Sequence, residues 1–254
     1  MEFNQLIAII TGAASGMGAA TAKRLAKQGV KVALLDINLE IAEQIAKETH
    51  GIAIACDVTN EADIQSALNI VEETFGVPRI AVNCAGIVHG KRMLGKEGPM
   101  PLNEFRRVLD VNVVGTFNVM RLVTQKMIKL DPLNETGERG VLINTASVAA
   151  YEGQIGQTAY SASKGAIVSM TLPAARELAQ FGVRVMTIAP GLVDTPMFQK
   201  ISPEARASLE ATVPFPKRLA LPDEYAMLVE QIIQNPMLNG EVIRLDGALR
   251  MQSK

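Results

Sequence analysis

The chain has 254 residues, a length that many α/β proteins use for a single domain. Apolar residues make up 48% and charged residues 20%, which is ordinary for a globular protein and excludes a disordered chain. The 25 basic and 26 acidic side chains give a net charge of −1 at pH 7, so no basic field attracts nucleic acid. We therefore expect a small-molecule substrate and no nucleic-acid partner.

Membrane, disulfide and metal functions are also disfavoured. The uncharged stretch 6–22 is interrupted by Gly, Ser and Thr and falls short of the ~20 apolar residues of a membrane span. Cys56 and Cys84 are the only cysteines, and His50 and His89 lie outside any metal-ligand spacing, so no metal is expected. Glu2 stands where a signal peptide carries basic residues, and we expect a cytoplasmic location.

Short apolar runs alternate with stretches of helical period along the whole chain. This alternation predicts right-handed crossovers and one parallel sheet with helices on both faces. The predicted strands cover residues 6–11, 30–35, 52–56, 80–83, 141–144, 184–188 and 241–245, and the predicted helices cover residues 16–28, 39–49, 61–75, 103–129, 158–180 and 223–234.

Two long connections, 88–101 and 191–217, interrupt this rhythm. Each follows the carboxyl end of a predicted strand, which is the edge where open α/β sheets bind ligands. Unstructured connections of this length are usually functional or disordered, and we expect residues 191–217 to form a substrate lid.

The first predicted strand is followed by the segment TGAASGMG, residues 11–18. Gly12, Gly16 and Gly18 allow a tight turn and the close approach of a pyrophosphate to a helix N-terminus, although their spacing differs from the common G-x-G-x-x-G fingerprint. The alternative is a turn that only joins a strand to a helix.

An acidic residue follows at the end of the second predicted strand. Asp36 stands 18 residues after Gly18, near the offset at which a carboxylate binds the adenosine ribose. It would repel a 2′-phosphate, and no Lys or Arg follows at positions 37–38, so NAD is favoured over NADP. The alternative role of Asp36 is to cap the next helix, and both roles can hold.

The third and fourth predicted strands end in further candidate cofactor residues. Asp57 is placed to bond the adenine amino group, and Val58 to pack on the adenine ring. The fourth strand ends at Asn83, and the small residues that follow it would let a cofactor lie against the backbone. The candidates at this strand end are Asn83, Cys84, Ala85 and Gly86.

Tyr160 and Lys164 are four residues apart and share one face of a predicted helix. A free phenol has a pKa near 10, and a nearby ammonium together with a positive nicotinamide would lower it toward the working range. Ser147, at the end of the fifth predicted strand, is placed to hydrogen-bond a substrate oxygen. The alternative is an exposed pair, because Tyr-x-x-x-Lys occurs by chance on many helices.

Five segments together resemble the short-chain dehydrogenase/reductase family: TGAASGMG, NCAG, VLDVNVVGTFNV, NTASVAAYEGQIGQTAYSASK and APGLVDTPM. The resemblance covers essentially the whole chain. It implies a single Rossmann-fold domain over residues 1–254, with a doubly wound seven-stranded parallel sheet, usually in a homotetramer or dimer. It also implies a catalytic tetrad in which Tyr160 is the acid/base, Ser147 orients the carbonyl, Lys164 binds the ribose and lowers the tyrosine pKa, and Asn112 holds a relay water.

Within this family, the segments 139–179, 184–197, 213–226 and 238–252 resemble the 3-hydroxyacyl-CoA dehydrogenases. The resemblance implies NAD-linked oxidation of a (3S)-hydroxyacyl-CoA in fatty-acid or branched-chain degradation, by a homotetramer. Gln154 would touch the thioester end of the substrate, beside Ser147 and Tyr160. The implied cofactor contacts are Ser15, Met17, Asp36, Asp57, Val58, Cys84, Tyr160, Lys164, Pro190, Val193 and Thr195.

Asp194 departs from this pattern, because close relatives carry a small residue over the nicotinamide at this position. We expect the acid to affect lid closure or substrate fit. The sequence has no evident site for the CoA phosphates. Lys91, Arg92 and Lys96 in the 88–101 loop are a hypothesis for one, with a solvated loop as the favoured alternative.

Three functions remain open at this point. The first is the hydroxyacyl-CoA dehydrogenase. The second is another family enzyme, either a 3-oxoacyl-carrier-protein reductase or a hydroxysteroid dehydrogenase; the reductases usually prefer NADP, so Asp36 argues against that choice. The third is an NAD-binding scaffold without turnover, against which the intact tetrad argues.

Overall fold

The computed structural model describes residues 1–196 and 202–253. Seven strands form one parallel sheet in the order β3-β2-β1-β4-β7-β8-β9, and β5 and β6 form a separate two-stranded hairpin. The strands are β1 Ile7–Thr11, β2 Lys31–Asp36, β3 Ile52–Ala55, β4 Ile80–Asn83, β5 Leu94–Gly95, β6 Gly98–Pro99, β7 Gly140–Thr145, β8 Val183–Pro190 and β9 Val242–Leu245.

Eight α-helices accompany the sheet in the described residues. They are α1 Gly16–Lys27, α2 Leu39–Thr49, α3 Glu61–Thr74, α4 Leu102–Leu109, α5 Thr116–Met127, α6 Thr158–Ala179, α7 Pro203–Thr212 and α8 Pro222–Gln234. A π-helical turn, Asp110–Gly115, joins α4 to α5, and a single 3₁₀ turn covers Val148–Ala150.

The sheet is buried on both faces, and successive strand residues serve opposite cores. Ile10 packs in the core formed with α1, α2 and α8, whereas its neighbour Ile9 packs in the core formed with α3, α5 and α6. Two-sided burial explains why the strands read as nearly continuous apolar runs. The predicted α/β fold, a Rossmann-type parallel sheet of seven strands with helices on both faces, is confirmed.

The chain order reverses beside β1, which pairs with β2 on one side and with β4 on the other. Thr11 lies opposite both Leu35 and Asn83, so the ends of these three strands reach the same edge of the sheet. A parallel sheet opens a crevice at such a reversal, which is where ligands bind in this architecture.

The helix predicted over 103–129 is present as an unbroken helical stretch from Leu102 to Met127, but it contains a π turn that the sequence analysis did not predict. Asn112 lies in this turn, and Gly115 at its end faces Val58, whose Cγ2 would be 2.5 Å from an added Cβ. π turns of this kind are frequent at functional sites.

The two long connections are more ordered than expected. The predicted lid contains helix α7, while its residues 197–201 lie outside the described part of the chain. The 88–101 segment contains the β5–β6 hairpin. Among the described helices, none is long and apolar enough to cross a membrane. The assignment of residues 1–254 to one domain stays a prediction.

Candidate active site

A cavity of about 850 Å³ opens at the carboxyl edge of the sheet, beside the reversal at β1. The predicted site residues that line it come from the ends of six strands and from α1 and α6. They are Gly12, Ser15, Gly16, Met17, Gly18, Asp36, Asp57, Val58, Cys84, Ala85, Gly86, Ser147, Tyr160, Lys164, Pro190, Val193 and Thr195.

The glycine turn after β1 is shaped for close packing. Gly12 has a φ of +63°, and an added Cβ would lie 2.7 Å from the backbone nitrogen of Ala85, so only glycine fits. Ser15 precedes α1 without a side-chain capping bond, which leaves the first N–H groups of this 12-residue helix available to a ligand. The turn can therefore hold an anionic group at the helix N-terminus.

Asp36 is bonded to backbone on both carboxylate oxygens. Its Oδ2 accepts a 2.9 Å hydrogen bond from the Ala14 N–H, and its Oδ1 accepts one of 2.9 Å from the Asn38 N–H. The N-cap of α2 is Asn38, whose side chain accepts from the Ile41 N–H, so the alternative in which Asp36 caps this helix is wrong. Asp36 instead ties the glycine turn to the end of β2.

Lys164 is held inside the cavity wall. Its Nζ donates a 2.7 Å hydrogen bond to the backbone oxygen of Thr145 and lies 5.7 Å from the ring centroid of Tyr160. Only 5% of Lys164 is exposed, so the alternative of an exposed Tyr–Lys pair is wrong. Ser147 begins the 3₁₀ turn after β7, where its hydroxyl accepts from the Ala149 N–H at 3.1 Å.

Burial decides the proton affinities of these groups. It raises the pKa of the Tyr160 phenol, and a hydrogen bond with the Ser147 hydroxyl opposes that rise. Burial also lowers the pKa of Lys164 to about 8, with the Cys84 thiol opposing. The expected low tyrosine pKa is therefore not present in the protein alone, because desolvation raises the pKa of the phenol and the opposing influence is the Ser147 hydrogen bond.

Asn112 lies just outside the cavity lining and is 1% exposed. Its Oδ1 accepts from the Ile87 N–H at 2.8 Å, and its Nδ2 donates to the Ile87 oxygen at 3.0 Å and to Ser163 Oγ at 2.9 Å. An added Cβ on Gly86 would lie 3.2 Å from Asn112 Oδ1 and 3.6 Å from Lys164 Nζ. Asn112 therefore fixes the chain after β4 and lies close to the lysine.

Two predicted residues lie elsewhere. Asn83 is buried within the sheet, where its Nδ2 donates to Asn144 Oδ1 at 2.9 Å. The Gln154 side chain donates to the backbone oxygen of Gln252 at 3.2 Å and lines a second, more open cavity together with Arg92. Neither side chain lines the main cavity.

Asp194 forms an ion pair with helix α7 of the predicted lid. Its carboxylate forms a two-pronged ion pair with the Arg206 guanidinium of α7, at 3.0 and 2.7 Å, which holds the pKa of Asp194 below its usual range. Lys91 pairs with Glu104 at 2.7 Å, and His89 contacts the other oxygen of Glu104. The charge of Lys91 is therefore already compensated.

The sequence analysis missed three residues that hold side chains of the site in place: Thr145, Arg206 and Tyr225. Each depends on a long-range contact that no local pattern encodes; Tyr225, for example, lies 80 residues from the Thr145 hydroxyl that it bonds. Helix α7 itself carries a start signal, Ser202-Pro203-Glu204, that fits a capped N-terminus. In the described residues, no cluster of three His, Cys, Asp or Glu side chains could hold a metal ion.

Known proteins resemble the chain in sequence and in structure. A family model described as short chain dehydrogenase matches residues 6–206. A 3-hydroxyacyl-CoA dehydrogenase type-2 from Bos taurus is 55% identical over 251 residues, covering 97% of this chain and 96% of the relative.

Two solved structures superimpose on the fold. The 3-hydroxyacyl-CoA dehydrogenase type-2 of Mycobacterium avium matches with a TM-score of 0.94 and 39% identity, over all of both chains. The 3-ketoacyl-(acyl-carrier-protein) reductase of Brucella melitensis, complexed with NADH, matches with a TM-score of 0.85 and 30% identity, over 98% of this chain and all of that one. The chain belongs to the short-chain dehydrogenase family and is an oxidoreductase.

Proposed function

We propose that this enzyme transfers hydride between NAD and the 3-hydroxyl or 3-oxo group of an acyl-CoA thioester. The observation that carries the proposal is the placement of Ser147, Tyr160 and Lys164 on one wall of the cavity that begins at the glycine turn. The Bos taurus relative, named 3-hydroxyacyl-CoA dehydrogenase type-2, supports the choice of substrate.

The residues of the cavity fit a nicotinamide dinucleotide. Gly12 leaves room that a Cβ would fill, and the bare N-terminus of α1 suits a pyrophosphate. Asp36 favours NAD over NADP, because its carboxylate would accept ribose hydroxyls and repel a 2′-phosphate. When bound, the oxidised nicotinamide supplies the hydride acceptor.

The side chains of the enzyme handle the proton. The Ser147 hydroxyl donates to the substrate oxygen, and the Tyr160 phenolate accepts the hydroxyl proton as the carbonyl forms. Lys164 is largely protonated below its pKa of about 8, and its charge stabilises the phenolate. Because burial of Tyr160 works in the other direction, the positive charge of the cofactor must add to that of Lys164.

Asn112 is proposed to hold a water that continues this proton relay. Gln154 is proposed as a contact to the thioester only if its side chain leaves Gln252, to which it is bonded here. Arg92, which lines the second cavity with Gln154, remains a candidate for a CoA phosphate, whereas Lys91 is paired with Glu104.

A homotetramer is proposed for the assembly, because the family usually forms homotetramers or dimers and apolar side chains are exposed at the π turn and the start of α5. Val114 is 50% exposed and Phe117 is 53% exposed, at helical spacing. The cytoplasmic location stays a prediction.

The alternative family activities differ in substrate. The Brucella melitensis neighbour is named a carrier-protein reductase, so that reaction is the second candidate; a hydroxysteroid dehydrogenase is the third. A scaffold without turnover would need no proton-transfer group, and Tyr160 and Lys164 both line the cavity.

The deciding experiment measures kcat/KM with NAD on a panel of (3S)-3-hydroxyacyl-CoA thioesters, the matching carrier-protein thioesters and hydroxysteroids. We expect a CoA thioester to give the highest value. A higher value for a carrier-protein thioester or a steroid would replace the proposal by that activity. If no substrate is turned over, the NAD-binding scaffold without catalytic activity would replace the proposal.

A further inference from the structure

A buried line of hydrogen bonds runs from helix α8 to the catalytic lysine. Tyr225 on α8 is 0% exposed, and its hydroxyl lies 2.7 Å from Thr145 Oγ1. The backbone oxygen of the same threonine accepts the 2.7 Å hydrogen bond from Lys164 Nζ. One residue thus bonds both to the α8 tyrosine and to the lysine.

The direction of these bonds follows from counting protons. The Thr145 hydroxyl has one proton, which it donates to the backbone oxygen of Asn83 at 2.6 Å. The Tyr225 hydroxyl must therefore be the donor to Thr145. Burial raises the pKa of Tyr225 well above its ordinary value, so the phenol keeps this proton at working pH.

Space filling alone does not explain a tyrosine here. Its fully buried neighbours on α8, including Val229 and Ile232, are aliphatic and fill the same core. A buried phenol must find a hydrogen-bond partner or lose stability. At this position the partner is the residue that anchors Lys164.

We propose that Tyr225 is a positioning residue, whose hydroxyl fixes Thr145 so that the Thr145 carbonyl holds the Lys164 ammonium beside Tyr160. The kinetic part of the proposal rests on the proposed dehydrogenase function.

The sign of the expected pH effect follows from the groups around the lysine. In the described residues, the titratable groups that face Lys164 are Cys84 after β4, Tyr160 on its own helix, and Tyr225 behind Thr145. Burial raises the pKa of Cys84, so this thiol is neutral and cannot replace the carbonyl as a partner for the charge. A loosened carbonyl would hold the ammonium less well, which lowers the pKa of Lys164 further and raises that of Tyr160.

The test compares Tyr225→Phe with the wild type in two measurements. In the first, kcat for oxidation falls about three- to tenfold, the size expected for the loss of one hydrogen bond. In the profile of kcat against pH, the rise on the acidic side moves to higher pH by about half a unit. In the second, NADH fluorescence titration without substrate gives a Kd raised by about threefold, because Lys164 is expected to bind the ribose.

Thr187→Val is the matched control. Its hydroxyl is buried and lies 2.6 Å from Thr171 Oγ1 of α6. Thr187 pairs with Asn144 in the sheet, but its hydroxyl bonds on the α6 face, opposite the α8 face where Tyr225 bonds Thr145, so the variant loses a similar bond without touching that contact. We expect it to lower Tm as much as Tyr225→Phe does, with a wild-type pH profile and NADH Kd.

A double-mutant cycle tests the route. If Tyr225 acts through Thr145, then Tyr225→Phe has no further effect on the NADH Kd in a Thr145→Val background. Full additivity of the two effects would contradict the route through Thr145.

The proposal is overturned if Tyr225→Phe lowers Tm as the control does and leaves both the pH profile and the NADH Kd unchanged. Should that variant not fold, Tyr225→Met fills the space without a hydroxyl and gives the same test. If the wild type oxidises no 3-hydroxyacyl-CoA, the proposed function fails, but the NADH titration still decides the role of Tyr225.

Discussion

Lys164 carries its charge in a setting that destabilises the fold. Burial lowers its pKa from 10.5 to about 8, so the unfolded chain binds the proton more tightly than the folded one. Burying the charged lysine lowers the free energy of unfolding by its full amount below pH 8, and this loss becomes smaller as pH rises to 10.5. Lys164 therefore makes the stability increase with pH between 8 and 10.5. The shift corresponds to about 3 kcal/mol.

Lys164→Met should therefore stabilise the protein at pH 7 while it removes activity. About 1–2 kcal/mol of the gain is offset because the Thr145 carbonyl loses its donor. Tm measured at pH 7 should rise, and the difference from wild type should shrink by pH 10.5. A lower Tm at pH 7, or a difference that does not change with pH, would contradict this assignment.

We expect the Asp36 carboxylate to set the preference for NAD over NADP. Asp36→Asn keeps an acceptor for one of the two backbone N–H groups but removes the negative charge that repels a 2′-phosphate. The ratio of kcat/KM for NAD to that for NADP should fall by about tenfold or more, the size of one charged contact. Glu40→Gln, on the first turn of α2 and outside the cavity lining, is the control and should keep the wild-type ratio.

The sequence could reveal those residues whose chemistry depends on near neighbours. Tyr160 and Lys164 share a helix face, and Asp36 follows a strand at a known offset from the glycine turn. Asn83 and Gln154 were expected at the site, but their side chains bond Asn144 and the Gln252 backbone instead. These pairings join segments far apart in the chain, and a local pattern does not contain them.

Helix α7 is tied to the loop after β8 by one ion pair. The Arg206 guanidinium binds both oxygens of Asp194, and Asp194 in turn donates its N–H to the Ala220 oxygen at 2.8 Å. No residue of α7 is buried, so the helix has little apolar packing to hold it in place. We therefore expect the Asp194–Arg206 ion pair to contribute strongly to its position.

Asp194→Asn should loosen this helix and weaken substrate binding more than chemistry. We expect KM for the acyl-CoA to rise about three- to tenfold, with a smaller change in kcat, because a two-pronged charged bond is worth more than an ordinary one. Glu210→Gln removes the other partner of Arg206, an i,i+4 surface pair, and should leave both constants near wild type. An unchanged KM in Asp194→Asn would show that the pair does not control the lid.

Element prediction succeeded where the hydrophobic period was strong. The predicted bounds of α2 and β4 agree with the structure, and all seven strands of the sheet were found. The π turn at Asp110–Gly115 was missed, because the helical period continues through it; Gly115 in this turn packs against Val58, which is far away in the chain. Helix α7 was missed because it has no buried face, so its sequence lacks the apolar residues at helical spacing that identify a helix.

The sequence contains little information on how many chains assemble. A homotetramer of 27.3 kDa chains has a mass of 4 × 27.3, about 109 kDa. Sedimentation should give this mass for the wild type, and Phe117→Glu should give a smaller species, because a charge in an apolar interface is costly. Glu43→Gln, at an exposed position of α2, is the control. A wild type that sediments as a monomer would end the proposal.

The central claim is that Tyr160 exchanges the proton with the substrate oxygen. The most direct measurement compares Tyr160→Phe with Tyr151→Phe in single-turnover oxidation of a 3-hydroxyacyl-CoA by NAD, with the NADH Kd measured in parallel. Tyr151 lies in the same segment after β7, is 48% exposed and stacks under Arg244. We predict a loss of about a thousandfold or more for Tyr160→Phe, a wild-type rate for Tyr151→Phe, and an NADH Kd within about threefold of wild type for both. A Tyr160→Phe enzyme that binds NADH normally and turns over at the wild-type rate would contradict the claim.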